Sequence, residues 1–413
     1  MPAPHHSTSH TAEGRASAQA WLVVALLFVV AGLNYLDRIM LTTMRDSVKA
    51  SIPMTDAQFG LLTSVFLWVY GVLSPFAGFV ADRISRSRLI IASLFVWSLT
   101  TWLTSHCTTF PQLLATRAVM GLSEACYLPA ALALIADYHR GATRSLAIGV
   151  HNCGLSIGSG LGGMGGWLAE RHGWTFTFSL FGIIGVVYSG LLLFGLRDAP
   201  RQDPAAPAEA ERISFLEALR SLFSQKSFSL LLAHWGLLGL AGWGIIGWMP
   251  TYLQQQFQLS QGEAGFAATG YLQISTVIGL ILGGAWADRW SRRSERGRLH
   301  VAVLGLCIAA PAIFLTANAT TFALAVSGLV IFGLARACTD CNTMPILCMV
   351  SDPRYRATGF GVLNFFACCV GGLTIYAGGI LRDANVNVRH MFEFAAVGVL
   401  ICAILLRQIK PKA

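Results

Sequence analysis

Six ionisable side chains stand inside long apolar stretches of this sequence: Asp37 and Arg38, Arg117 and Glu124, and Arg336 and Asp340. A charge in an apolar helix away from water is costly, by roughly 2.5–3.5 kcal/mol each on insertion scales, so such groups pair with one another or face a polar cavity. Burial and a neighbouring guanidinium act on a carboxyl's proton in opposite senses, and that competition makes a switchable proton site. Asp37 is adjacent to Arg38, and Glu124 lies two helical turns beyond Arg117. When the carboxylates take up protons, an arginine is freed to hold an anion. When the anion leaves, the pair reforms and the proton departs. Asp37 and Glu124 are therefore the candidate proton carriers, and Arg38 and Arg117 the candidate anion-binding groups. A static ion-pair cluster is the competing reading. Arg336 and Asp340 are one turn apart and can pair with each other; alternatively Arg336 faces a cavity as a second anchor, gripping a carboxylate through a two-pronged hydrogen bond.

Uncharged polar groups extend this set. Asn152 and Asn364 each offer donors and an acceptor where the hydroxyls of a polar ligand would sit, although both also suit a helix–helix contact. Ser156 is one turn from Asn152. Tyr35 and Tyr70 combine a flat face with a hydroxyl, as a carbohydrate-like ligand requires. His151 can titrate or simply pack. Trp243 and Trp248 suit either a gate or anchoring at a membrane interface.

The elements that must position these residues follow from composition. The 413 residues are 54% hydrophobic and 12% charged, with 42 glycines and a mean hydropathy of +0.60. Soluble chains carry about 25% charge, so the solvent here is the bilayer and the fold is an all-α membrane protein. A membrane-crossing helix needs roughly 20 apolar residues. Twelve apolar spans are predicted, at 20–45, 57–81, 89–107, 111–138, 143–169, 174–196, 227–255, 264–287, 299–318, 320–349, 357–381 and 390–407. The first is too long for a signal-peptide core and holds Asp37 and Arg38, so it is read as uncleaved. Prolines 75, 129, 250 and 345 interrupt spans 2, 4, 7 and 10 and can serve as bending points.

With the N-terminus inside, the inner segments carry 21 Lys and Arg residues and the outer loops five. That bias places both termini in the cytoplasm. It also accounts for the net charge of +9 without nucleic-acid binding. Ten cysteines are scattered, and the pair Cys338/Cys341 sits on an apolar helix without a redox or metal context. Gly158, Gly160 and Gly163 spell G-x-G-x-x-G, but no strand precedes them; a small-residue face for close helix packing is the reading kept. No metal site and no cofactor is expected.

The chain repeats itself. Gly78-Phe-Val-Ala-Asp82-Arg83 matches Gly284-Ala-Trp-Ala-Asp288-Arg289 at a spacing of 206, and the run Arg144 to Asn152 matches Arg356 to Asn364 at a spacing of 212. Two six-helix bundles are expected, at residues 20–196 and 227–407. Between them, 197–226 forms a central loop with Pro200, Pro204 and Pro207 at its start. It ends in an interfacial helix carrying Phe215, Leu219, Leu222 and Phe223 on one face. Residues 1–19 are expected to be a disordered cytoplasmic segment and 408–413 a cytoplasmic tail.

Gly78-x-x-x-Asp82-Arg83-x-x-Arg86-x-Arg88 resembles the loop motif of the major facilitator superfamily, and a weaker copy carries Asp288 and Arg289. The resemblance implies a cytoplasmic latch of Asp82, Arg83, Arg86, Asp288 and Arg289; a plain basic loop is the alternative. Asn34-Tyr35-Leu36-Asp37-Arg38 resembles the signature of the anion:cation symporter family, and Spinster-like lipid transporters share a similar N-Y-x-D-R. The run Arg117 to Pro129 suits both, with Pro129 followed by Ala closer to the symporters. Tyr70 sits where sugar-acid members carry a substrate-contacting tyrosine. Gly154 to Gly163 comes close to a drug-antiporter motif but has Ser159 where that motif has proline. The resemblance implies a twelve-helix transporter, not an enzyme, importing a small organic anion such as a sugar acid with protons by alternating access. A monomer among the lipids of a bacterial inner membrane is expected. Lysolipid transport and proton-coupled metabolite or drug export are the alternatives.

Overall fold

The computed structural model describes residues 9–81, 83–139, 143–199, 215–294 and 296–410, and these are helical almost throughout. Twelve passages cross the molecule in two bundles of six. In the first bundle they are α1 (Ser9–Thr43), α3 (Asp56–Ala81), α4 (Arg86–Thr104), α5 with α6 (Phe110–Glu124, Tyr127–Tyr138), α7 with α8 (Arg144–Gly162, Met164–His172) and α9 (Trp174–Gly195). A short α2 (Arg45–Ser51) links the first two, and α10 (Phe215–Phe223) precedes the second bundle. That bundle holds α11 (Lys226–Phe257), α12 with α13 (Gln261–Phe266, Leu272–Ser291), α14 (Gly297–Ala317), α15 with α16 (Phe322–Asp340, Thr343–Val350), α17 (Arg356–Asp383) and α18 (Arg389–Gln408). Among the described residues, eleven passages are long and apolar enough to cross a membrane by composition. The remaining one, α7 with α8, is glycine-rich and polar, and its Gly158 face is pressed on α1 so closely that a Cβ there would overlap the Gly32 carbonyl. The protein is a multi-pass integral membrane protein.

Helix ends follow local chemistry. Thr109 and Gln112 form a capping box at α5, Ser260 and Glu263 another at α12, and Ser85 caps α4; each satisfies N–H groups that a helix start leaves open. Pro129 and Pro345 are each the third residue of a resumed helix, α6 and α16, so both prolines fall where a missing N–H costs little. A turn of π-helix at Ala267–Tyr271 separates α12 from α13.

Two sequence expectations shift in detail. α1 begins at Ser9, ahead of the polar–apolar boundary, and no proline interrupts it. α10 docks through buried Ala218 and Leu222, while Phe215 and Phe223 remain exposed. Pro200, Pro204 and Pro207 lie outside the described residues.

The bundles meet chiefly along α3–α17 and where α8 and α7 lie against α12 and α13. Both seams widen in one direction, from the end bearing residues 44–56 and 384–389 (the far end) toward the end bearing the chain termini (the near end). A Cβ on Gly163 would overlap the Thr269 hydroxyl; on Gly160 it would sit 3.7 Å from Gln273; on Gly149 it would meet nothing within 4 Å. Along α17, a Cβ on Gly379 would overlap the Asp56 carbonyl, one on Gly71 would lie 2.9 Å from Cys368, and one on Gly361 would lie 4.0 Å from Pro75.

Candidate functional site

The four charges of the first bundle come together, but not in the pairs that sequence adjacency suggests. Neighbouring residues on a helix point about 100° apart, so Arg38 turns from Asp37 and reaches the fourth passage. Its Nε donates to Glu124 Oε2 at 2.6 Å, and the Asn34 amide, one turn earlier, donates to the same oxygen at 2.8 Å. Glu124 is completely buried, and its Oε1 has no protein partner. The Arg38 guanidinium lies over Tyr35, Phe66 and Tyr70, with its carbon 4.9, 5.0 and 4.4 Å from the ring centroids. Ring faces attract a cation and hold it without supplying a counter-charge.

Asp37 and Arg117 remain open. Thr101 donates to Asp37 Oδ2 at 3.3 Å, and Oδ1 has no partner. Arg117 Nη1 reaches only the Met120 sulfur at 3.3 Å, Nη2 reaches nothing, and the guanidinium lies over Phe178 at 5.3 Å. Both residues are only 2% exposed. Buried polar groups are normally satisfied, and leaving a charged one open is expensive. Two carboxylates and two guanidiniums are thus buried together, with one pair closed and the other not.

The second bundle differs. Arg336 Nε and Asp340 Oδ2 are 3.7 Å apart on one helix, and the guanidinium covers Gly242 of α11. The pairing reading of the sequence therefore describes this state, with part of Arg336 still exposed.

The polar candidates separate as well. Asn364 Nδ2 donates to Ser74 Oγ at 3.2 Å across the α3–α17 seam, so it fastens the bundles here. Asn152 is exposed on the α7 face that diverges from α13, and Ser156, one turn on, shares that face. His151 is buried against the Tyr127 hydroxyl at 2.9 Å, a packing role. Trp248 is buried and donates to the Ile375 carbonyl at 2.9 Å, and Trp243 packs on Gly371, so neither is an interface anchor. Cys338 and Cys341 donate to carbonyls of their own helix.

Of the latch residues, Asp82 lies outside the described residues. Arg86 donates to Asp137 at the end of α6, Asp288 accepts from Arg298 at 2.7 Å, and Arg83 and Arg289 are exposed. The Arg86 and Asp288 pairs each stay within one bundle.

Sequence reasoning missed Asn34 as a ligand of Glu124, Thr101 as the donor to Asp37, and Phe66 as the third ring. It also missed the far-end clasp. Three of the five basic residues counted in the outer loops, Arg45, Lys49 and Arg382, converge on Asp56. Asp383 accepts from the Asp56 and Ala57 N–H groups at 2.8 and 2.9 Å, so the end of α17 caps the start of α3. Gln261 Oε1 accepts from the Asp46 and Ser47 N–H groups at 3.0 and 3.1 Å, and Glu170 accepts from the Gly262 N–H at 3.2 Å. All but the Arg45 and Lys49 contacts run between the bundles. A basic count records such residues, but not that one acid gathers them.

Known proteins share this architecture. The inward-facing, unoccupied structure of a bacterial homolog to the human lysosomal transporter Spinster superposes with a TM-score of 0.76 at 22% identity, covering 94% of this chain and 95% of that one. An MFS-type efflux pump of Mycolicibacterium smegmatis is 28% identical over 93% of this chain and 90% of its own length. A probable galactarate/D-glucarate transporter of Escherichia coli is 28% identical over 73% of this chain and 74% of its own. Protein spinster homolog 3 of Danio rerio is 27% identical over 72% of this chain, a match spanning 63% of that relative. The model of the Major Facilitator Superfamily matches residues 27–376. Two six-helix bundles, charges buried between their passages and seams that splay at one end are what such a transporter needs, and with that match the chain belongs to the Major Facilitator Superfamily.

Proposed function

We propose that the chain imports a small organic anion, a sugar acid or another carboxylate, together with protons. Residues 20–196 and 227–407 rock about a site near mid-membrane, tethered by 197–226. The Lys/Arg bias argues for a cytoplasmic near end, so the sealed far end faces outward; we place the protein, as a monomer, in a bacterial inner membrane. The observation that carries the reading is Arg117: a buried guanidinium with an open Nη2, close enough to an equally open Asp37 carboxylate to feel its charge.

Asp37 and Glu124 carry the protons. A proton on Glu124 removes its charge and weakens its hold on Arg38, a contact of the kind worth about 1.5–3 kcal/mol. Arg38 is then free, on its aromatic bed of Tyr35 and Tyr70, to meet a carboxylate. A proton on Asp37 leaves Arg117 as the uncompensated charge that the anion neutralises. Asn152, Ser156 and Tyr35 supply hydrogen bonds to hydroxyls, and Arg336, released from Asp340, would serve the second carboxylate of a diacid. Asn364 joins them once the seam at Ser74 opens. The sugar-acid transporter among the relatives supports this substrate class. Departure of the anion lets Arg38 reclaim Glu124, with proton release on the same side.

Export by the same cluster is the second reading, favoured by the efflux-pump relative. A ligand-stabilisation screen against sugar acids, aromatic acids, dicarboxylates and lysolipids, followed by acid-driven uptake in liposomes, separates the cases. A sugar acid that stabilises the protein and accumulates when the outside is acidified is the expected result. Stabilisation by lysolipid alone, or flux only against the inward proton gradient, overturns it.

A further inference from the structure

Four cations converge at the near end on a cleft of about 390 Å³ between α11, α14 and α18. They are Lys226, Arg296, Arg407 and Lys410, with Ser227 beside them and Leu230 at the apolar side. All four charged residues are exposed, and among the described residues no carboxylate pairs with any of them. Ser227 Oγ donates to the Lys410 carbonyl at 3.0 Å and accepts from its N–H at 3.3 Å, which ties the segment after α18 to the start of α11 and fixes Lys410 at the cleft.

The basic bias of this end accounts for the number of cations but not for their placement. Lys226 is the first residue of α11 and Arg296 the cap of α14, and neither helix has an acid in its first turn. A helix start carries partial positive charge and favours anions. Two helix starts and four cations therefore share one cleft with no carboxylate among the described residues to balance them. Directly below, the outward face of α18 is apolar: Phe394, Val397, Ile401 and Ile404 are 64, 53, 41 and 58% exposed, and this stripe runs up to Arg407. On the adjoining α14, Leu304 and Ile308 are exposed as well.

We propose that this cleft binds the phosphate headgroup of an anionic phospholipid from the leaflet at the near end, its acyl chains lying along the α18 stripe. Phosphate is the shared chemistry of a lipid headgroup and a free anion; the apolar stripe leading into the cleft assigns it to lipid. The inference is independent of the transported substrate and of the coupling mechanism.

The test uses the full chain in nanodiscs of phosphatidylcholine doped with cardiolipin or phosphatidylglycerol, with lipid retention read by native mass spectrometry. A fourfold variant, K226Q/R296Q/R407Q/K410Q, is compared with a control in which Arg88, Arg144, Arg292 and Arg293 are changed to Gln. Each lost contact should weaken retention about fivefold, and the fourfold variant more than ~100-fold. The control should retain lipid like the wild type. Should the fourfold variant fold poorly, K226Q/R407Q, with an unaltered melting profile in lipid-free detergent, is expected to show about 25-fold weaker retention. Equal retention by the wild type and a cleft variant overturns the proposal. So does loss in the control to the same degree, or displacement of the lipid by millimolar inorganic phosphate.

Discussion

In the fourth passage α5 ends on Glu124, and the helix resumes with Pro129 as its third residue; in the tenth α15 ends on Asp340 and resumes with Pro345 as its third residue. Each passage carries an arginine upstream of its acid, Arg117 in one and Arg336 in the other. The two designs differ in spacing. Four residues are one turn, a rise of about 6 Å, and bring Arg336 onto the face of Asp340 at 3.7 Å. Seven residues are two turns, about 10 Å, so Arg117 and Glu124 do not satisfy each other and both depend on other passages. Glu124 finds Arg38 and Asn34; Arg117 finds only a sulfur and a ring. The same residue types thus make a local ion pair in one bundle, long enough to leave Arg336 Nε without a hydrogen bond, and a fully buried set spread over several passages in the other; it is the spread set that can respond to a proton or an anion.

If this contrast governs transport, the largest effect belongs to Arg117. Arg117→Met should lower gradient-driven uptake in proteoliposomes more than ~100-fold, because a charge-assisted contact to the anion is worth about 3 kcal/mol. Arg117→Lys should recover only part of it, since a lysine lacks the fork. An Arg117→Met protein that transports normally would remove the open guanidinium from the account.

The far-end clasp comes next. Asp56→Asn leaves Arg45, Lys49 and Arg382 without their common carboxylate. Loss of one partner of a largely buried ion pair is strongly destabilising for the closed seam, so a cysteine introduced at Thr269 should react with a membrane-impermeant thiol reagent at least ~10-fold faster in the Asp56→Asn background. Unchanged reactivity would mean that Asp56 does not hold that end shut.

Asp340→Asn probes the second bundle. Its pair is local and partly exposed, and such pairs contribute about 0.3–0.5 kcal/mol. Uptake should therefore stay within roughly threefold of wild type, and proton coupling should persist. Uncoupled transport in this variant would move the switch to the second bundle.

The smallest effect lies outside the membrane. Asp198 accepts from the Ser87 N–H at 2.7 Å near the start of α4. Partial burial pushes its carboxyl up, but the Ser85 and Ser87 donors and the Arg86 charge outweigh this and hold it below the ordinary value. A carboxyl lowered by folding stabilises the native state above its unfolded value, and that stabilisation fades as pH falls through the lowered one. Asp198→Asn should accordingly cost no more than about 1 kcal/mol near neutrality. In melting profiles the difference from wild type should shrink on acidification below the ordinary carboxylate range.

Much of the architecture was legible in the sequence, because length, hydropathy and a repeated motif act over whole helices. The charged candidates were legible for a related reason: a charge among apolar neighbours is conspicuous. Their partners were not. Whether Arg38 meets Asp37 or Glu124 depends on how α1 is rotated against its neighbours, which the close packing of Gly158 on Gly32 helps to set. The meeting of Asp56 with Arg382 joins residues 326 apart, through a seam between bundles that no local pattern encodes. Spacing did foresee the Arg336–Asp340 pair, where geometry is confined to one helix.

Glu124→Gln and Asp37→Asn bear most directly on the proposed coupling, since each keeps the shape of the side chain and removes the titrating group. In liposomes loaded with the stabilising anion, both variants are expected to exchange labelled for unlabelled substrate while losing accumulation driven by a proton gradient. Accumulation at wild-type levels in both would contradict the account.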